Sequence, residues 1–198
     1  MAEEDIRAAV RAERRDQADL LAQLTERQWD APSLCAGWRV REVVAHTTLP
    51  YRSSGTRVLL EVLKSAGRFN HAADRMARED ARELSAHDLA AAVKANVDHP
   101  WTPPGGGAAG ALSHDVIHGL DITVALGLDR RVPHERLKLV LDAMKPRNVK
   151  YFGTDLRGTR LEATDLDWTF GEGRPVRGLA QDLLLHVCGR RLPPGRLS

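Results

Sequence analysis

Several things are scarce in this chain, and each scarcity narrows what it can be. Only two of its 198 residues are cysteine, Cys35 and Cys188, far apart and with no C-x-x-C spacing. Two cysteines cannot build a disulfide framework, so a reducing compartment is the simpler reading. No apolar run approaches the roughly 20 residues of a membrane span, and mean hydropathy is −0.36. The opening Met1-Ala-Glu-Glu-Asp is acidic and runs into Ile6-Arg-Ala-Ala-Val10, without the basic start and apolar centre of a signal peptide. A cytoplasmic protein with no membrane partner is the expectation. An excess of one charge is missing too: 29 Lys plus Arg stand against 27 Asp plus Glu, a net +2. That balance gives no electrostatic footprint for a nucleic-acid partner. Repeats and low-complexity tracts are absent as well.

What is present suffices for a core. Hydrophobic residues make up 42% of the chain, and a chain of this length buries roughly 70% of its unfolded surface without staples. From residue 3 to 28, Ile6, Ala9, Val10, Leu20, Leu21 and Leu24 mark a helical face at both ends around a polar middle. Asp30-Ala-Pro-Ser-Leu-Cys-Ala-Gly37 is a loop by its Pro and Gly. Residues 38–49 predict a second helix, ended or kinked by Pro50, with a helical continuation over 51–66 up to Gly67. Ser85 with Asp88 three residues on predicts an N-cap and a helix to about residue 97. The run Asp98-His-Pro-Trp-Thr-Pro-Pro-Gly-Gly-Gly107 is the strongest breaker. It is followed by helices over 108–126, with Gly127 as C-cap, and from Pro133 to about 144. Residues 160–170 are rich in strand formers and lead to a Gly171-Glu-Gly173 turn, and 176–188 predict a last helix. The predicted architecture is mainly α: a helical bundle over residues 1–147 and a short β-containing, α/β C-terminal extension over 148–198.

Eight histidines are many for this length, and three stand out. His114 and His118 are four apart on one predicted helix, so their side chains lie one above the other. Such a pair can place two imidazoles on one metal ion, although solvent-facing pairs with the same spacing also arise by chance. His46 lies among Val43, Val44 and Ala45, on a helix face that should point inward, where bundle cores build metal sites. Spacing alone cannot bring it to the other two. His71, His87, His99, His134 and His186 show no ligand spacing and are read as surface or loop residues. The Arg14-Arg15, Arg130-Arg131 and Arg190-Arg191 pairs are read as solvated faces.

Three runs carry a family resemblance. Trp29-Asp-Ala-Pro-Ser-Leu-Cys-Ala-Gly-Trp-Arg-Val-Arg-Glu-Val-Val-Ala-His46 closely resembles the signature of the mycothiol-dependent maleylpyruvate isomerase family, within the DinB-like superfamily. His114-Asp-Val-Ile-His118-Gly-Leu-Asp121 resembles its second motif, and residues 163–168 with 176–190 its C-terminal ending. The resemblance implies a DinB-like four-helix bundle holding a divalent metal ion, zinc above others, on His46, His114 and His118. It also implies mycothiol as thiol cosubstrate and a small electrophilic substrate, in an S-transfer or a maleylpyruvate-isomerase-like reaction. The chain departs from the isomerase pattern at position 114, where the family has Glu. A neutral His there leaves a bound ion more Lewis-acidic.

Around that trio, Asp121 is placed to accept the other ring N–H of a ligand histidine, equally well explained as a solvent-facing acid. Trp38 is a candidate for lining the pocket and contacting the cofactor. Arg190 matches a functional arginine in the family's C-terminal part, a catalytic and cofactor-binding candidate, or else closes its helix by satisfying the dipole. Cys35 is discounted as nucleophile, since the thiol comes from the cosubstrate. Two alternatives share the motifs: a non-catalytic DinB-like metal- or partner-binding module, and a hydrolase with water in the thiol's place.

Overall fold

A computed structural model describes residues 3–198. In chain order its elements are α1 (Glu3–Leu21), α2 (Glu26–Trp29), α3 (Val40–Arg52), α4 (Gly55–Lys64), α5 (Phe69–Glu83), α6 (Ala86–Ala95), α7 (Gly107–Ala125), α8 (His134–Asp142), α9 (Pro146–Phe152), β1 (Thr159–Ala163), β2 (Thr169–Gly171), β3 (Arg174–Gly178) and α10 (Ala180–Val187). Among the described residues, no helix is long and apolar enough to cross a membrane.

α7 is the axis of the fold because it is apolar on almost every face, the pattern of an enclosed helix. Its Leu112, Val116 and Leu120 join a core with Leu137 and Val140 of α8, Leu183 and Leu184 of α10 and Leu161 of β1. Its Ile122 faces a second core with Val40, Val43 and Val44 of α3 and Leu89 and Val93 of α6. α1 packs on α6 and α7, and α3 packs on α5, α6 and α7, giving a helical bundle around α7. α7 ends in a Schellman turn: Gly127, at φ 66°, and Leu128 return N–H groups to Val124 and Thr123. Glycine suits that position because the left-handed backbone strains most residues that carry a Cβ.

The sheet has the order β2-β1-β3, antiparallel on one side and parallel on the other, with Leu161 opposite both Phe170 and Val176. The chain passes from β2 to β3 across the start of β1, and a Cβ at Gly173 would strike the Gly158 carbonyl. Leu161 is fully buried and carries the sheet onto α10.

Several boundaries differ from the sequence expectation for local reasons. The first helix stops at Leu21, because Thr25 starts a new one: its Oγ1 accepts from Gln28 N, while Gln28 Oε1 accepts from Thr25 N at 2.9 Å. α3 begins at Val40 and runs through Pro50 to Arg52, since a proline near the last turn costs one hydrogen bond and no continuation. The chain breaks instead at Ser53 and Ser54, where Ser54 Oγ caps α4. Residues 176–178 form a strand, and the last helix starts at Ala180. α5 and α9 fall where no element is predicted. The Ser85–Asp88 capping box is present as expected.

Candidate metal centre

α3 and α7 cross so that one imidazole from the first meets two from the second. His114 and His118, one turn apart on α7, have ring centroids 4.8 Å apart. His46 lies 5.3 Å from the first and 5.0 Å from the second. One ring nitrogen from each lies within 4.8 Å of the other two. Two indoles flank the group: Trp38 is 5.2 Å from His46 and Trp101 is 5.2 Å from His114. Trp38 is pinned by its Nε1–H, which donates to Asp74 Oδ1 on α5 at 2.6 Å.

The hydrogen bonds behind the rings decide where the free lone pairs point. His114 Nδ1 sits 3.0 Å from Asp115 Oδ1, and His118 Nδ1 sits 3.0 Å from Asp121 Oδ2. A carboxylate only accepts, so each Nδ1 carries the proton and each neutral ring leaves Nε2 as an acceptor. His114 Nε2 faces His46 Nε2 at 3.4 Å. Two imidazole nitrogens on one tetrahedral ion, each at about 2.0–2.1 Å, stand about 3.3–3.4 Å apart. Carboxylates behind the rings are the usual support of metal-bound histidine. The donor set therefore fits a divalent cation with open coordination positions.

Each supporting aspartate is itself gripped by an arginine. Asp115, buried, accepts from Arg14 Nε of α1 at 2.8 Å. Asp121, fully buried, accepts from Arg190 Nε at 2.7 Å and Nη2 at 2.9 Å, a two-pronged pair. Burial alone would raise the Asp121 pKa, yet the hydrogen bonds from Arg190 and His118 hold it well below the carboxylate range. Burial also lowers the pKa of His46, aided by its two histidine neighbours, and lowers that of His118. Those two rings are kept neutral, the ligating form. Burial and then the charge of Asp121 push the Cys35 thiol up, so Cys35 stays protonated and donates to Asp121 Oδ2 at 3.0 Å. Cys35, His118 and Asp121 also offer donor atoms within reach of one another. The Arg190 guanidinium seated on Asp121 disfavours a second cation there.

Arg190 lies behind Asp121, its remaining donors directed to the Cys188 carbonyl at 3.1 Å and Cys35 Sγ at 3.5 Å. It thus meets the histidines through Asp121 and closes its helix as well. The arginine pairs are not solvated faces. In each, the first member is buried or nearly so and the second exposed: Arg14 and Arg15, Arg130 and Arg131, Arg190 and Arg191. Arg130 Nη2 pairs with Glu13 at 2.7 Å, and Arg136 Nη1 joins the same carboxylate at 2.9 Å. His71, His87 and His134 are exposed, whereas His99 and His186 are half-buried. Sequence reasoning missed Asp115, Arg14 and Trp101. The polar middle of the first helix, Glu13, Arg14 and Gln17, was the one available signal.

Fold and site together define a mainly α helical-bundle protein with three convergent histidines. Residues 10–102 match the family model described as the mycothiol maleylpyruvate isomerase N-terminal domain, a stretch that contains His46 and ends before α7. A crystal structure of a mycothiol-dependent maleylpyruvate isomerase superposes with a TM-score of 0.62 at 13% identity, covering 100% of this chain and 92% of that one. A histidine-to-alanine variant of such an isomerase gives 0.58 at 12% identity, covering 96% and 90%. No curated protein sequence matches the chain. The resemblance carried by residues 29–46 holds: this chain resembles the mycothiol-dependent maleylpyruvate isomerases.

Proposed function

We propose that the protein is a metal-dependent enzyme that uses a small thiol, mycothiol by its family, in S-transfer or isomerisation of an electrophilic substrate. The observation that carries this is the pair of Nε2 atoms at 3.4 Å, with carboxylates holding the Nδ1 protons of the two α7 histidines. His46, His114 and His118 would hold the ion, for which zinc is the natural choice given three imidazoles. A divalent ion bound there favours the thiolate form of a coordinated thiol at neutral pH, and the thiolate is the nucleophile.

The chain's own residues then have distinct tasks. Asp115 holds His114, and Asp121 holds His118, each in a single tautomer and a single ring orientation. Arg190 fixes Asp121 and spreads its charge. Trp38 and Trp101 wall the histidines from water on two sides. Cys35, held as a thiol, does not compete with the incoming thiol. With three neutral ligands, an ion keeps its full double charge, one unit more than with a glutamate at position 114.

Elemental analysis of protein purified without chelator tests the first half of the proposal. Consumption of mycothiol by an electrophilic acceptor, with metal-loaded and metal-stripped protein, tests the second. The expected result is near-stoichiometric metal and metal-dependent thiol consumption. Fully loaded protein that consumes no thiol with a panel of electrophiles would favour the non-catalytic module.

A further inference from the structure

We infer that Arg14, on the first helix, is a positioning residue of the histidine centre: it sets His114 through Asp115 and, through the loop at His99, the neighbouring Trp101. Its effect on metal affinity rests on the metal reading above; its effect on ring geometry does not.

Arg14 joins three parts of the site. Its Nε donates to Asp115 Oδ2 at 2.8 Å, which leaves Oδ1 for His114 Nδ1 at 3.0 Å. Its Nη1 donates to the His99 carbonyl at 2.7 Å. Two residues on, Trp101 packs edge-on against His114, and Trp101 N–H donates to His99 Nδ1 at 3.2 Å. The guanidinium also lies 5.2 Å from the ring centroid of Tyr51, five residues beyond His46 on α3. Arg14 and Asp115 side chains are each only 3% exposed, so water cannot replace either partner.

The chemistry needs an arginine. A planar fork serves two acceptors at fixed angles, which a lysine point charge does not. With Oδ2 taken by Arg14, the Asp115 carboxylate cannot rotate to exchange the oxygen it shows His114, so the ring plane is fixed. Arg14 Nη2 is buried without a partner, so this guanidinium is held by its two directed bonds and its packing rather than by full satisfaction. The same arrangement of arginine, aspartate and histidine recurs from the other end of the chain, through Arg190 and Asp121 onto His118.

The test uses full-length protein and Arg14→Met, which keeps the apolar stem and removes the donors. In chelated, ¹⁵N-histidine-labelled protein, hydrogen-bonded ring N–H signals of His114 and His118 are assigned by their loss in Asp115→Asn and Asp121→Asn. Arg14→Met should shift or broaden the His114 signal and leave that of His118 in place. Both signals unchanged, or both lost together, would overturn the inference. Co(II) titration of folded Arg14→Met should show affinity about tenfold weaker, the lower end for residues that support metal ligands. Arg14→Lys should fall between Arg14→Met and wild type. Unchanged Co(II) affinity in Arg14→Met also counts against it. Glu13→Gln, equally buried on the same helix, should lower stability without moving the His114 signal. If it moves that signal as far, Arg14 is merely structural. Should Arg14→Met fail to fold, Arg14→Lys decides: a displaced His114 signal supports the role and a wild-type one refutes it. Wild type that takes up no Co(II) sinks the metal reading, and the ring N–H signals alone then judge Arg14.

Discussion

Two histidines one turn apart on α7 are braced in the same way from opposite ends of the chain, yet the braces differ in what else holds them. The Arg14–Asp115 pair lies between two bundle helices, both side chains 3% exposed. The Arg190–Asp121 pair reaches in from just beyond α10, with Arg190 at 19% and Asp121 at 0%. One brace belongs to the frame, and any fault in it disturbs helix packing. The other hangs on the C-terminal segment, so a site whose histidines all precede residue 119 still depends on residue 190. Arg190 also keeps a path to water that Arg14 lacks.

The largest effects should come from the histidines themselves. His118→Ala removes one of two imidazoles on α7 and should lower metal affinity by more than the about 10–100-fold that a supporting residue costs. His114→Glu puts a carboxylate, also a zinc ligand, where the resembled isomerases carry Glu, and should keep near-stoichiometric metal. Metal content of the two purified variants checks this; equal loss in both would mean that position 114 does not ligate.

Removing an aspartate comes next. Asp115→Ala and Asp121→Ala each strand a guanidinium, and breaking a buried pair costs about 3–5 kcal/mol. The comparison predicts the larger loss for Asp115→Ala, because Arg190 can turn toward solvent and Arg14 cannot. Urea denaturation of the metal-free variants gives the order, and a reversed order would break the contrast between frame and tail.

The α7 histidine pair and the bundle were legible in the sequence for one reason: their signals are local. A four-residue spacing, a Ser-x-x-Asp cap and a glycine after an apolar helix each declare themselves without partners. α5 did not, because its buried face is Ala72, Met76, Ala77 and Ala81 with Asp80 among them, mostly small residues and an acid that do not read as a core stripe without the α3 partner they pack on. The braces were illegible for the opposite reason. Arg14 sits 101 residues from Asp115, and Arg190 sits 69 from Asp121. A charge looks the same in sequence whether its partner is water or a distant carboxylate, so adjacent arginines read as solvated when one of each pair was not. Arg190 and His46 became informative only through the family resemblance, which supplied the tertiary contact that spacing lacks.

A pH series sharpens the comparison at moderate cost. His46 and His118 are held neutral, with pKa values below the free value. Below about pH 6.5 the unfolded chain therefore takes up protons that the folded chain refuses, and stability falls with pH. The slope is at most about 1.4 kcal/mol per pH unit for each histidine. Asp121 has the depressed value of a paired acid; its contribution is present above about pH 3.9 and is lost as pH falls through its folded value. Chelated wild type should thus weaken in two limbs. His46→Gln should flatten the upper limb and Asp121→Asn the lower one. An upper limb untouched by His46→Gln would show that this ring is not kept neutral by the fold.

The smallest effect should belong to Cys35, and it probes an asymmetry between the braces. Only the C-terminal brace carries an extra donor: Cys35 Sγ–H points to Asp121 Oδ2 at 3.0 Å, and Arg190 Nη2 lies 3.5 Å from the same sulfur. Burial and the Asp121 charge keep that thiol from ionising, so it is neither nucleophile nor ligand in the proposed reaction. Cys35→Ala should cost about 1–2 kcal/mol, the loss of one hydrogen bond to a charged acceptor plus a small void. Metal stoichiometry and thiol consumption should stay near wild type, because Arg190 alone still holds Asp121 with two bonds. Iodoacetamide should alkylate the native protein slowly even at pH 8, since the thiolate is the reactive form. Fast alkylation at Cys35, with activity abolished in Cys35→Ala, would turn this residue from a brace into the nucleophile and move the chemistry one side chain away from the histidines.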